Sequence, residues 1–114
     1  MDYINFNFNN DDVQEIIHRY EIQDNDRALV PTAAELILVV DNSASYEGDY
    51  GELFVKNGVL YETGCSHCSC YGCEGQWDPE ETSLAVIKLR PRGFEGVAFE
   101  EVVARARAAG YTGD

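Results

Sequence analysis

The chain has 114 residues, with 21 Asp and Glu against 8 Lys and Arg, and so carries a formal net charge of −13. That charge repels nucleic-acid phosphates and argues against direct binding to DNA or RNA. The length fits a single domain spanning 1–114 that can bury a core without staples, and no stretch approaches the ~20 apolar residues of a membrane helix.

The charge is uneven. Residues 1–81 hold 17 acids and three bases, Arg19, Arg27 and Lys56, whereas residues 82–114 hold four acids and five bases. All the excess negative charge therefore lies in the first 81 residues. It reads either as a solvated surface or as a face that docks on a basic groove. The opening MDYINFNFNNDD has neither a basic region nor an apolar run, so it does not read as a signal peptide, and the expected compartment is the cytoplasm. Thiols stay reduced there unless they hold metal or do redox work.

Ile4, Phe6 and Phe8 alternate, which predicts a short strand or extended arm. Asn9 or Asn10 can cap a helix over 11–21, with Asp11 and Asp12 near its positive dipole end and Val13, Ile16, Ile17 and Tyr20 on one face. His18 borders that stripe and reads as a surface residue. After a polar connection, Thr32 and Glu35 have capping-box spacing, which admits a helix. The run Leu36 to Val40 is short, rich in β-branched residues and stopped by Asp41-Asn42-Ser43, which favours a buried strand.

Residues 52–62 give the clearest local signal. Two β-prone runs flank Asn57-Gly58, the dipeptide suited to a type I′ turn, and predict a β-hairpin. With 36–40 it makes an antiparallel meander. Residues 63–77 read as a loop. Asp78 can then cap a helix over 79–89, with Pro79 first and Glu80 and Glu81 in its opening turn. Phe99, Val102, Val103 and Ala106 mark a last helix over 98–109, stopped by Gly110. The expected fold is α+β: an antiparallel sheet of three to four strands packed against about three helices.

The loop carries the unusual chemistry. Cys65, Cys68, Cys70 and Cys73 place four thiols within nine residues, with His67 among them. Zinc takes four soft ligands in a tetrahedron, and Cys-x2-Cys is a known half-site. The halves are separated here by Ser69 alone, which makes closure round one ion tight. The alternatives are buried or reduced thiols and a disulfide. The compartment argument predicts metal-bound or reduced sulfur rather than a bridge, in an ordered loop docked by Tyr71 and Trp77. Tyr46, Tyr50, Tyr71 and Trp77, with Asp49, Glu52 and Glu74, make a candidate protein-binding patch, since Tyr and Trp are enriched at interaction hot spots. A Cys–His catalytic pair is the weaker reading, because adjacent His67 and Cys68 point apart in an extended chain.

The segments Ser66-His67-Cys68-Ser69-Cys70-Tyr71-Gly72, Glu74-Gly75-Gln76-Trp77 and Pro79-Glu80-Glu81 resemble a signature of small uncharacterised bacteriophage and prophage proteins. The resemblance covers about residues 35–82. It implies a phage or prophage origin and carries no mechanism. Its shared thiols correspond to Cys68 and Cys70; Cys65 and Cys73 depart from the pattern, Cys73 standing where an apolar residue is expected. Together these readings predict a non-enzymatic accessory protein that occupies a host protein with a basic surface, such as a defence or nucleic-acid-handling factor, in the manner of an anti-CRISPR inhibitor. The alternative is a small zinc- or thiol-dependent enzyme or redox module centred on 65–73.

Overall fold

An antiparallel sheet in strand order β1-β2-β3-β4-β5 runs through the middle of the molecule. The computed structural model describes residues 2–5, 8–44, 47–68, 72–89 and 99–114. The strands are β1 (Asp2–Asn5), β2 (Leu36–Ala44), β3 (Glu47–Lys56), β4 (Val59–His67) and the two-residue β5 (Glu80–Glu81). Helix α1 (Asn10–Tyr20) precedes a 3-10 segment (Asp24–Leu29), and α2 (Leu84–Leu89) and α3 (Phe99–Ala108) follow the sheet. The α+β class and the hairpin are as the sequence predicts. Each strand pairs with the next, so the pairing is a simple meander.

The hairpin turns at Asn57 and Gly58, both at positive φ (54° and 77°), as a type I′ turn demands. Its register runs from Lys56 opposite Val59 to Gly48 opposite His67. Helix α1 is capped by Asn9, whose side chain accepts from the amides of Asp11 and Asp12, while Asp12 accepts from the Asn9 amide. The second capping box also forms: Thr32 and Glu35 bond each other reciprocally. It closes one turn, after which the chain enters β2, because the β-branched run beyond it is paired on both sides in the sheet.

Both faces of the sheet are covered. On one, Leu38, Val40, Leu53, Val55 and Leu60 pack against Leu84 and Ile87 of α2, Val102 and Ala106 of α3, and Tyr111. On the other, Leu36, Phe54 and Cys65 pack against Ile16 and Tyr20 of α1, Ile22 and Cys73. A bulge in β2 reconciles the two: Leu36 faces Phe54, but Leu38 faces Leu53. The extra residue sends both Ile37 and Leu38 to the α3 face, then restores alternation so that Val39 and Asp41 face α1.

Two expectations need correction. The helix over 79–89 begins only at Leu84. Glu80 and Glu81 are strand, paired with Glu62 and Tyr61, and Thr82 N donates to Leu60 O. The helix start is set by Ser83, whose hydroxyl accepts from Val86 N, so Asp78 and Pro79 lie in the approach to a strand. The predicted loop over 63–77 is also shorter, because β4 runs on to His67 against the full length of β3.

Candidate functional site

The unusual side chains gather on the α1 face. Glu52 was expected on the surface as a binding residue, and it is fully buried. On β3 its neighbours Leu53 and Val55 point to the α3 core, and Glu52 shares the opposite face with Phe54, beneath α1. Its carboxylate accepts from the Tyr20 hydroxyl at 2.6 Å and from Arg19 Nη1 at 3.3 Å. Burial pushes its pKa up from 4.5 to about 7, outweighing the Tyr20 hydrogen bond and the Arg19 charge, which both pull it down. The Tyr20 hydroxyl is itself held far above its ordinary range, first by burial and then by the facing carboxylate.

Arg19 ties this pair to the sheet end. Its guanidinium lies 3.8 Å from the ring centroid of Tyr50, and Tyr50 stacks on His67 at 5.1 Å. Of the candidate residues, Tyr50, Asp49 and His67 are thus brought together at one end of β3 and β4. Asp49 is exposed and accepts from the Ser66 hydroxyl at 2.7 Å. Asp41, opposite Tyr50 in register, has a buried Oδ1 with no hydrogen-bond partner among the described residues.

The second cluster is the segment from Gly72 to Trp77. Cys65 and Cys73 form a disulfide, with Cα atoms 5.5 Å apart. This corrects the expectation that these thiols are reduced or metal-bound. Cys65 lies in β4 on the α1 face, and Cys73 reaches the same core cluster, at ordinary disulfide separation. Two of the five candidate zinc ligands are therefore bonded to each other. Of the others, His67 and Cys68 are half-buried and Cys70 lies outside the described residues, as do Tyr46 and Tyr71. No group of three His, Cys, Asp or Glu placed to hold a metal occurs among the described residues.

Trp77 docks as predicted, edge-on to Tyr20 at 5.1 Å and stacked on Phe54 at 6.1 Å. Glu74 is exposed, and its carboxylate accepts from Gly72 N. Sequence reasoning missed Gln76. Its side chain accepts from Ser66 N at 3.0 Å and donates to Ser66 O at 2.7 Å and Gly72 O at 3.0 Å, clamping the segment onto the end of β4. A glutamine makes such a clamp only once the fold places a strand end beside it, so no local pattern announces it. Arg19 and Tyr20 were likewise read only as helix residues.

A groove of about 640 Å3 runs along the C-terminal end of α1, the 3-10 segment and Glu74, and continues into a space of about 290 Å3 beside Trp77. The larger part is lined by Glu21, Asp24 and Glu74 but also by Arg19, Arg27 and His18; the smaller part beside Trp77 is lined by Glu21, Asp26 and Glu74 and by no base. The three bases of residues 1–81 are each bound to an acid of the same segment: Arg19 to Glu52, Arg27 to Asp24 and Lys56 to Glu35. Seventeen acids less three bases leaves an excess of 14 negative charges in that segment, with no cation of its own to offset them.

Against known families, curated proteins and solved structures, the chain finds no match. No helix among the described residues is long and apolar enough to cross a membrane.

Proposed function

We propose that this chain is a non-enzymatic accessory protein of phage type that binds a basic surface on a host protein and so modulates or inhibits it. The observation that carries this reading is the internal use of the cations. Arg19, Arg27 and Lys56 each pair with an acid of their own segment, which still holds 17 acids against these three bases. The groove beside Trp77 adds an aromatic edge to an acidic rim, the combination suited to lysine- and arginine-rich chains. A host factor that handles nucleic acid, including a defence nuclease, presents such a surface where phosphates would lie. The motif resemblance to phage proteins points the same way.

The test is capture of a partner from a bacterial lysate, followed by its affinity across ionic strength. The Debye length shrinks from ~10 Å at 0.1 M salt to ~3 Å at 1 M, so the affinity should fall at least roughly tenfold over that range. Replacing Glu21, Asp24, Asp26 and Glu74 together with neutral amides should reduce both the affinity and its salt slope. An affinity indifferent to salt and to these changes would remove the electrostatic reading.

A further inference from the structure

We propose that the Cys65–Cys73 disulfide is a thiol-exchange site: a reversible clip, opened by a dithiol reductant, that governs whether Trp77 stays seated on the α1 face. The inference is independent of the partner.

Among the described residues, the segment from Gly72 to Trp77 is held to the body of the fold by the disulfide, the Gln76 clamp and the Trp77 ring. The segment belongs to no strand or helix. Its backbone is turned locally, with Gln76 N donating to Cys73 O and Gly75 at positive φ. A stretch of this kind opens at far lower cost than the hairpin beneath it. The disulfide closes eight residues of sequence separation and ties this open-prone stretch to β4, a strand paired along its whole length.

What the clip controls follows from the contacts of Trp77. Its ring rests on Tyr20 and Phe54, and the Tyr20 hydroxyl bonds Glu52, which also holds Arg19. Lifting Trp77 removes the cover from that buried pair and changes the wall of the adjoining space, which Trp77 and Glu74 share. Both sulfurs are buried, so exchange requires the segment to open first.

In the exchange, a thiolate of the dithiol attacks the Cys73 sulfur, and the Cys65–Cys73 bond breaks with its electron pair on Cys65. The second thiol of the reductant then attacks the mixed disulfide and releases Cys73. The reductant leaves as a cyclic disulfide, and its two electrons and two protons end on the Cys65 and Cys73 thiols. A poise more reducing than the clip's own potential opens it, and a more oxidising one keeps it closed.

Trp77 is the single tryptophan of the chain, so its fluorescence reports the segment directly. The protein, kept under air and without reductant, should leave Cys65 and Cys73 unlabelled by an alkylating agent. Dithiothreitol under native conditions should expose both to labelling, shift the Trp77 emission to longer wavelength and raise amide exchange across 72–77 by tenfold or more. Exchange across 52–62 should not change, and reoxidation should reverse all three effects. In Gln76→Ala, which keeps the disulfide, the oxidised protein should retain the seated emission, and reduction should produce the larger shift. The proposal is overturned if both cysteines label without reductant, if the bond resists dithiothreitol until the whole protein unfolds, or if reduction leaves emission and exchange unchanged.

Discussion

Replacing Glu52 with glutamine tests the energetics of the α1 face. Glu52 is buried without exposure, and its pKa is raised by desolvation from 4.5 to about 7. The folded protein therefore holds this proton more tightly than the unfolded chain does. The stability gained from the protonated form is fully present below pH 4.5 and is lost as pH rises towards 7. The shift of about 2.5 pH units, at 1.36 kcal/mol each, gives a loss of about 3 kcal/mol between pH 4 and pH 8. Glu52→Gln has the same shape, keeps an acceptor for the Tyr20 hydroxyl and cannot ionise. Arg19, already partly exposed, can turn to solvent or remain over Tyr50. The self-repulsion of a chain at −13 also varies with pH, so the useful quantity is the difference between the two proteins. Urea unfolding at half-unit steps from pH 4 to 8 should show the variant gaining about 3 kcal/mol relative to the parent as pH rises, most of it between pH 5 and 7. A difference that stays constant across that range would mean that Glu52 titrates normally, and the desolvation argument would fail.

Two further substitutions probe the scaffold of the site. Gln76→Ala removes three hydrogen bonds to Ser66 and Gly72 and should cost about 1–3 kcal/mol in urea unfolding; a neutral result would mean that the clamp exchanges freely with water. Gly64→Ala places a methyl carbon 2.7 Å from the Tyr50 carbonyl oxygen, which is backbone and cannot swing aside. It should destabilise the protein by about 1–3 kcal/mol and disturb the β3–β4 pairing beside Cys65, visible as faster amide exchange there, and unchanged exchange would contradict the close approach.

The fold was largely legible because its strongest signals are local. Asn57-Gly58 sets the hairpin, Asn9 with Asp12 sets the start of α1, and the periodicity of Phe99, Val102 and Ala106 sets α3. Where the reading failed, at the start of α2, a long-range contact overrode a local signal. Asp78-Pro79-Glu80-Glu81 has the composition of a helix start, yet Glu80 and Glu81 complete the edge of the sheet against Tyr61 and Glu62, and the helix waits for Ser83. At Thr32 and Glu35 the capping box forms, but the β-branched run after it was read as a strand, and it is one. The site was legible in part. Trp77 and Tyr50 were recognisable by type, but the burial of Glu52 was not, because a single acid among Leu53, Phe54 and Val55 looks the same from sequence whether its face is covered or bare. The pairing of Cys65 with Cys73 needed both residues to reach the α1-face core, Cys65 from within β4, and the cysteine spacing does not encode that.

The two cores of the molecule differ in kind, and the difference bears on the proposed binding surface. The α3 face is filled by Leu, Ile and Val from the sheet, with Ala106 and Tyr111 closing it, the composition expected where folding is the only requirement. The α1 face is the same size of problem with a costlier solution: a buried carboxylate, a tyrosine hydroxyl committed to it, a half-buried arginine stacked over Tyr50, and a disulfide. Desolvating a charge costs free energy that aliphatic packing does not. The polar burial of the α1 face is thus the costlier of the two arrangements. It lies beneath the stretch of surface bounded by the exposed Glu21, Asp24, Asp26 and Glu74, where the acid excess of residues 1–81 meets an aromatic edge. Local departures from the simplest packing concentrate where a protein does its work; here the fully buried Glu52, the disulfide and the groove beside Trp77 fall on one side of the sheet, while Glu62, opposite Leu53, turns a buried carboxylate oxygen to the other.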